Sequence, residues 1–201
     1  MQLLAVSRRA VDGSLTILGD VAQATGPVVY RRWQELEPYL PDEAELSIEE
    51  LRHAYRVPAE IMELALPLLD LIAPEVERPL AYRRGGELPR LVRVEEADVV
   101  RAALREAASL AAQDGLVAVI VPRALTAETP GPDAFDGLVV PVLTPRQAKG
   151  LEFDHVVVVE PAAIAEDGEQ GLRELYVALT RPTRTLVVVH ARPLPDAIAS
   201  R

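Results

Sequence analysis

No cysteine occurs in the 201 residues, which excludes a disulfide framework and a thiolate metal site. Lysine is almost as scarce: Lys149 is the only one, and arginine carries nearly all the positive charge. Aromatic residues make up 4%, with a single tryptophan, Trp33. No apolar run approaches the roughly 20 residues of a membrane span. The apolar start, Met1 to Val6, is too short for the core of a signal peptide and is followed by Arg8 and Arg9, not by a cleavage site. The three histidines, His53, His155 and His190, have no mutual spacing that suggests a metal site, and the last two sit in apolar runs that assign them structural roles. No Gly-x-x-x-x-Gly-Lys-Ser/Thr loop is present, and no glycine-rich turn follows a first strand as a Rossmann-like enzyme would need. These absences leave a cytoplasmic protein with no membrane partner as the expectation.

What is present is an ordinary globular composition, 49% hydrophobic and 26% charged, long enough to bury a sizeable core. The net charge of -10 argues against a stand-alone nucleic-acid binder, which would carry a basic footprint. A local basic groove can still exist on an acidic protein.

Along the chain, Leu15 to Leu18 reads as a short buried strand stopped by Gly19-Asp20. Pro38 and Pro41 mark a linker, and Ser47-Ile48-Glu49-Glu50 has the pattern of a capping box opening a short helix. Ile61, Leu64, Ala65, Leu68, Leu69 and Ile72 fall at helical spacing between Val57 and Ile72. Pro58 suits that helix's first turn, and Pro67 inside it is a candidate kink. Pro74 to Pro89 reads as irregular, with Arg83-Arg84-Gly85-Gly86 at its tip. Leu91 to Val94 reads as a strand, and Ala97 to Gln113 as an amphipathic helix ended by Gly115. Leu116 to Val121, Leu138 to Leu143, His155 to Val159 and Thr185 to His190 read as strands, and Arg173 to Thr180 as a helix. Ala165 to Gln170 reads as an acidic solvated loop. Strands apolar on both faces, alternating with helices, predict a parallel sheet covered on both sides, with ligands at the carboxyl ends of the strands.

Four segments carry a pattern more specific than periodicity. They are Gly19-Asp20-Val21-Ala22-Gln23; Leu51-Arg52-His53-Ala54-Tyr55-Arg56 followed by Val57-Pro58-Ala59-Glu60-Ile61; Thr144 to Val156, with Ala148-Lys149-Gly150-Leu151-Glu152-Phe153-Asp154 at its centre; and Arg173-Glu174-Leu175-Tyr176-Val177-Ala178-Leu179-Thr180-Arg181. In this order they resemble the motifs of the second motor lobe of UvrD/Rep-like superfamily-1 helicases. Two departures are mild: Val57 stands where that family commonly has Ser, and Pro182 where it usually has Ala.

The resemblance implies a RecA-like α/β lobe of the P-loop NTPase type, a parallel sheet flanked by helices. It implies ATP and Mg²⁺ as cofactors, with the metal ligands and phosphate cradle on an upstream first lobe of the same protein. Gln23 would sense the γ-phosphate, and Arg56 and Arg181 would reach it, Arg181 as an arginine finger. Tyr55 would stack near the base, Glu152 would bond the ribose hydroxyls, and Gly150 would let the backbone pass close to the nucleotide. Thr144 and its loop would face single-stranded DNA or RNA. Trp33 can stack on a base there or serve as a core or lobe contact. Residues 1–40 are expected to be the remnant of the first lobe with its linker, and 41–201 the second lobe. Arg56 and Arg181 are expected to lie exposed in an empty cleft. The parent would be an ATP-dependent helicase or translocase, and the isolated chain inactive for want of a phosphate loop.

Within that superfamily, Gly19 to Gly26 looks more like the HelD/HelR-type ATPases that recycle RNA polymerase than like repair helicases. The interval between Arg56 and Thr144 also leaves little room for the large inserted subdomain of the UvrD/Rep enzymes. RNA polymerase is therefore the alternative partner.

Overall fold

The computed structural model of the chain describes residues 16–26, 31–39, 47–127, 129 and 140–199. In chain order its elements are β1 (His53–Ala54), α1 (Ala59–Ile72), β2 (Leu80–Ala81), β3 (Arg90–Arg93), α2 (Val99–Ala111), β4 (Val117–Ile120), β5 (Val142–Leu143), α3 (Pro145–Ala148), β6 (Phe153–Val159), α4 (Pro161–Ile164), α5 (Gly168–Leu179), β7 (Pro182–His190) and α6 (Asp196–Ala199). Short 3-10 turns at Val21–Gln23 and Trp33–Tyr39 precede them.

Five strands form one parallel sheet in the order β3-β7-β6-β4-β5. The valine runs explain why it is central and two-faced. Val156, Val158, Leu186 and Val188 point to one side, into a core shared with α1 and α5. Val157, Val159, Val187 and Val189 point to the other side and meet Ala103, Ala107 and Leu110 of α2. Period-two alternation of β side chains thus serves two cores from one run. Each fully buried valine contributes about 1.5–3 kcal/mol of transfer free energy. The expectation of a doubly covered parallel sheet holds, and β1 and β2 add a separate two-stranded parallel ladder with His53 opposite Leu80 and Ala54 opposite Ala81.

Local expectations fail where an isolated segment lacks a partner. Residues 16–18 are not a strand, and Leu18 is exposed; no strand among the described residues pairs with them, and Leu15 lies outside those residues. Residues 47–50 form no helix and no other regular element. A helix there would have only Ile48 and Leu51 as an apolar face, and Leu51 is 88% exposed. The backbone just beyond instead pairs with the 80–82 segment, through Leu80 N to Arg52 O and Tyr82 N to Ala54 O. The acidic stretch 165–170 is not a loop: it forms a 3-10 turn and the first turn of α5. Pro67 lies within α1 without ending it. Of the strand expected at 138–143, residues 138 and 139 lie outside the described residues, and Val142–Leu143 is the strand observed.

Candidate functional site

The sheet's topology places the motif residues. Helix α5 returns antiparallel to the strands and feeds into β7 through Thr180 and Arg181, so Arg181 must sit at the amino end of β7. Phe153 pairs with Pro182, so Glu152, just before β6, lies beside Arg181 at the same end. The group is therefore at the amino ends of β6 and β7, not at the carboxyl ends that the sheet type alone suggests.

Arg181 is only 4% exposed, which overturns the expectation of an exposed residue in an open cleft. The physical reason is its hydrogen bonding. Its Nε donates to Val177 O at 3.0 Å, closing the last turn of α5. Its Nη1 donates to Leu151 O at 3.2 Å, and its Nη2 to Gln23 Oε1 at 3.1 Å and Thr180 Oγ1 at 3.2 Å. One guanidinium thus ties together three of the four sequence motifs. Burial, and after it the charge of Arg56, push the guanidinium below its ordinary pKa; Asp20 opposes them.

Gln23 is oriented from both sides. Its Nε2 donates to Asp20 Oδ2 at 2.7 Å while its Oε1 accepts from Arg181; a carboxylate needs a donor and a guanidinium an acceptor, so only this amide orientation satisfies both. Asp20 also accepts from Ala22 N at 2.8 Å, capping the 3-10 turn. Buried Tyr176, beneath this group, has its phenol pushed up by burial and by the charge of Asp20.

Arg56 is more exposed and forms an ion pair with Glu152. Two residues with separate expected ligands here satisfy each other. Gly150 has φ +82° in the turn after α3, and a Cβ built there would meet no atom of the chain; the backbone conformation is what calls for glycine. Tyr55 is exposed beside Arg56, and its ring lies against Tyr82. Trp33 is partly buried against the α1–α5 core and covers Gly19, where a Cβ would approach its Cη2 to 3.0 Å.

Thr144 is elsewhere. It follows β5, caps α3 through a reciprocal box with Gln147, and lines a cavity of about 500 Å³ with Arg123, Thr126 and Arg146. Leu143 is level with Ile120 and so with Val158. Thr144 and Glu152 are therefore at opposite ends of the sheet, roughly 20 Å apart at ~3.3 Å per residue. The connection between them crosses the sheet face, with Ala148 buried in the core.

Arg173 opens the fourth motif, but sequence reasoning gave it no role. It is 0% exposed on α5, and its guanidinium donates to Val21 O, to Ile72 O at 2.6 Å and to Glu169 at 2.9 Å. It fixes the Gln23 turn and the end of α1 to the helix that carries Arg181. The only local signal was Glu169 one helical turn earlier. Arg83 was also missed: its Nη1 donates to Arg56 O at 3.1 Å and Thr183 O at 2.8 Å. The histidines placed in apolar strands are buried; His155 Nε2 lies 3.3 Å from Asp114 O and His190 Nδ1 2.8 Å from Arg192 O. Among the described residues no group of three or more His, Asp or Glu could hold a metal ion, and no helix is long and apolar enough to cross a membrane.

Comparison with known proteins bears on the fold. Residues 140–189, spanning the Lys149 segment, β6, α5 and most of β7, match the UvrD-like helicase C-terminal domain family. Among solved structures, the C-terminal domain of a protein described as a possible DNA helicase from Lactobacillus plantarum WCFS1 matches with a TM-score of 0.50 and 23% identity, over 73% of this chain and 92% of that one. No curated protein matches the sequence. The fold is that of a RecA-like helicase C-terminal domain.

Proposed function

We propose that this chain, a UvrD-like helicase C-terminal lobe, supplies the arginine half of an ATP-driven superfamily-1 motor. The observation that carries the reading is the junction at the amino ends of β6 and β7. There Arg181 holds Gln23 and the Leu151 carbonyl, and Arg56 stands near enough to depress its pKa. Two guanidiniums and an amide, gathered from distant parts of the chain, are the residue types suited to an anionic triphosphate; Arg181 and Gln23, bonded to each other here, would exchange that contact for the phosphate. ATP bound there with Mg²⁺ would supply phosphoryl-transfer chemistry, the metal being held on a first lobe. This chain's residues would position and neutralise charge: Arg56 and Arg181 at the terminal phosphate, Gln23 at the attacking water, Glu152 at the ribose.

Thr144, at the opposite end of the sheet, would face the nucleic-acid strand. The signature segment 144–152 would join the two ends, so a change at one is mechanically connected to the other. A single strand of DNA or RNA and the first lobe are the partners of this reading. The test joins the chain to its first lobe and measures ATP turnover with and without single-stranded DNA. Stimulation by the strand that disappears in Thr144→Ala supports it; ATP turnover indifferent to every strand tested would remove the nucleic-acid role.

One observation favours a second reading. Among the described residues between Arg56 and Thr144, all elements belong to the lobe itself, with no large inserted subdomain. A compact motor of the HelD type, which remodels RNA polymerase and does not unwind duplexes, fits this. Polymerase-stimulated turnover without unwinding would distinguish it.

A further inference from the structure

The exposed turn Arg83-Arg84-Gly85-Gly86 belongs to none of the four motifs, yet it holds the backbone on both sides of Arg56. Tyr82 N donates to Ala54 O at 2.9 Å, and Arg83 O accepts from Ala59 N at 2.8 Å. Between these two bonds, Arg83 Nη1 donates to Arg56 O at 3.1 Å and, from the same nitrogen, to Thr183 O at 2.8 Å. Tyr82 and Arg83 thus bond the chain at Ala54, Arg56 and Ala59 and tie it to β7. Thr183 is two residues beyond Arg181. One guanidinium therefore links the backbones that carry both arginines of the candidate site.

The turn is itself built. Glu60, in the first turn of α1, accepts from Gly85 N at 2.7 Å, and a bond to a carboxylate is stronger than one between neutral groups. Gly85 has φ +83°, and a Cβ on Gly86 would come within 3.0 Å of Pro58 Cβ. The two glycines let the turn lie against the start of α1.

The side chain of Arg56 shows why such an anchor matters. It is exposed, and its ion pair is with Glu152. In the nucleotide-site reading Glu152 turns to the ribose, and Arg56 loses that restraint. A long exposed side chain keeps its rotamer freedom, so the anchoring of its backbone decides how closely its guanidinium returns to one place beside Arg181.

We infer that Arg83 is a positioning residue: through the carbonyls of Arg56 and Thr183 it fixes the spacing of Arg56 and Arg181, and so the geometry of the two guanidiniums at the terminal phosphate. This rests on the nucleotide-site reading above and deepens it. Arg83 acts through backbone and touches no nucleotide; its effect on the rate passes entirely through Arg56.

The experiment is a double-mutant cycle on kcat and KM for ATP, in the protein with both lobes, with the unfolding midpoint of each variant measured alongside. Arg83→Ala should lower kcat on the order of 10²-fold, the scale of a ~1 Å misplacement. KM should stay unchanged, because the spacing matters in the transition state and not in binding. In an Arg56→Ala background the same substitution should change kcat by less than about twofold, since coupled residues are not additive. Arg83→Lys should recover most of the lost rate: both bonds leave one nitrogen, and an ammonium has donors for two carbonyls. An equal loss of kcat with and without Arg56 would make Arg83 a general prop or a nucleotide contact and overturn the inference. So would a raised KM at unchanged kcat, an unfolding midpoint lowered until it accounts for the lost rate, or a lysine no better than alanine. A wild-type kcat in Arg56→Ala alone would instead defeat the underlying nucleotide-site reading, and the positioning role with it.

Discussion

Arg56 and Arg181 stand at one end of the sheet under different physical conditions, and substitutions should separate them. Arg56 has an exposed guanidinium whose ion pair is with Glu152, and exposed ion pairs contribute little to stability. Arg181 is buried, and four of its N–H groups are engaged. Arg181→Ala should therefore lower both turnover and stability, the latter by about 1–3 kcal/mol for acceptors left unpaired. Denaturant unfolding checks this: a midpoint equal to the wild type would mean that the guanidinium does not join the three motifs. Glu152 can be tested through the ligand. If it accepts bonds from the ribose, Glu152→Ala should raise KM for ATP and shrink the preference for ATP over its 2′- or 3′-deoxy analogue. If it serves only as the partner of Arg56, KM for ATP and for both analogues should change by the same factor.

At the scale of elements, α5 organises the site, and two of its residues show how. Gly171 sits mid-helix, where glycine ordinarily costs about 0.5–1 kcal/mol relative to alanine. A Cβ there would come within 2.6 Å of Ile164 O, so the glycine lets the end of α4 approach. Gly171→Ala should destabilise the protein despite alanine's better helix propensity; a rise in Tm would refute the close approach. Arg173 couples α5 to the Gln23 turn, and Glu169 in turn holds Arg173 and Arg31. Those two guanidiniums, Arg173 first, keep the Glu169 carboxyl below its ordinary pKa. A depressed folded-state pKa means that this stabilisation is present above the unfolded value, roughly 4.3, and is lost as pH falls through the folded one. Glu169→Gln should flatten that acid limb of the stability profile, and a limb unchanged by the substitution would show that the pairing is not formed in solution.

The same elements show what a sequence can carry. Apolar runs located β4, β6 and β7 because burial on both faces writes itself into consecutive residues, whereas β5, at the sheet edge, is only half-buried. Helix α1 was legible from its apolar spacing, despite Pro67. The strand expected at 15–18, over its described residues 16–18, and the helix expected at 47–50 failed because local pattern was read without a partner; the latter segment leads into a ladder that begins with Leu80. The motif residues could be named from the chain, but the burial of Arg181 could not. It depends on Gln23 and Leu151, which arrive from distant positions. Arg173 bonding to Val21 is likewise a contact that no periodicity encodes.

For the whole molecule, the separation of the two ends decides what the chain can do by itself. It contains no phosphate loop. The purified chain should release no phosphate from ATP above background; steady release abolished by Arg181→Ala would contradict that. The net charge of -10 leaves little general attraction for nucleic acid, so strand binding should depend on the first lobe and on the Thr144 end of the sheet.

The central claim, that this lobe brings arginine to the terminal phosphate of a nucleotide held elsewhere, is tested most directly by ATP turnover of Arg56→Ala in the two-lobed protein. Exposed Arg56 can be removed with the unfolding midpoint intact, so a change in rate reports chemistry and not folding. The account predicts a fall in kcat of roughly 10³-fold, the scale of a lost arginine contact to the transferring phosphoryl group. A kcat within about twofold of wild type, a barrier change of only ~0.4 kcal/mol, would contradict it.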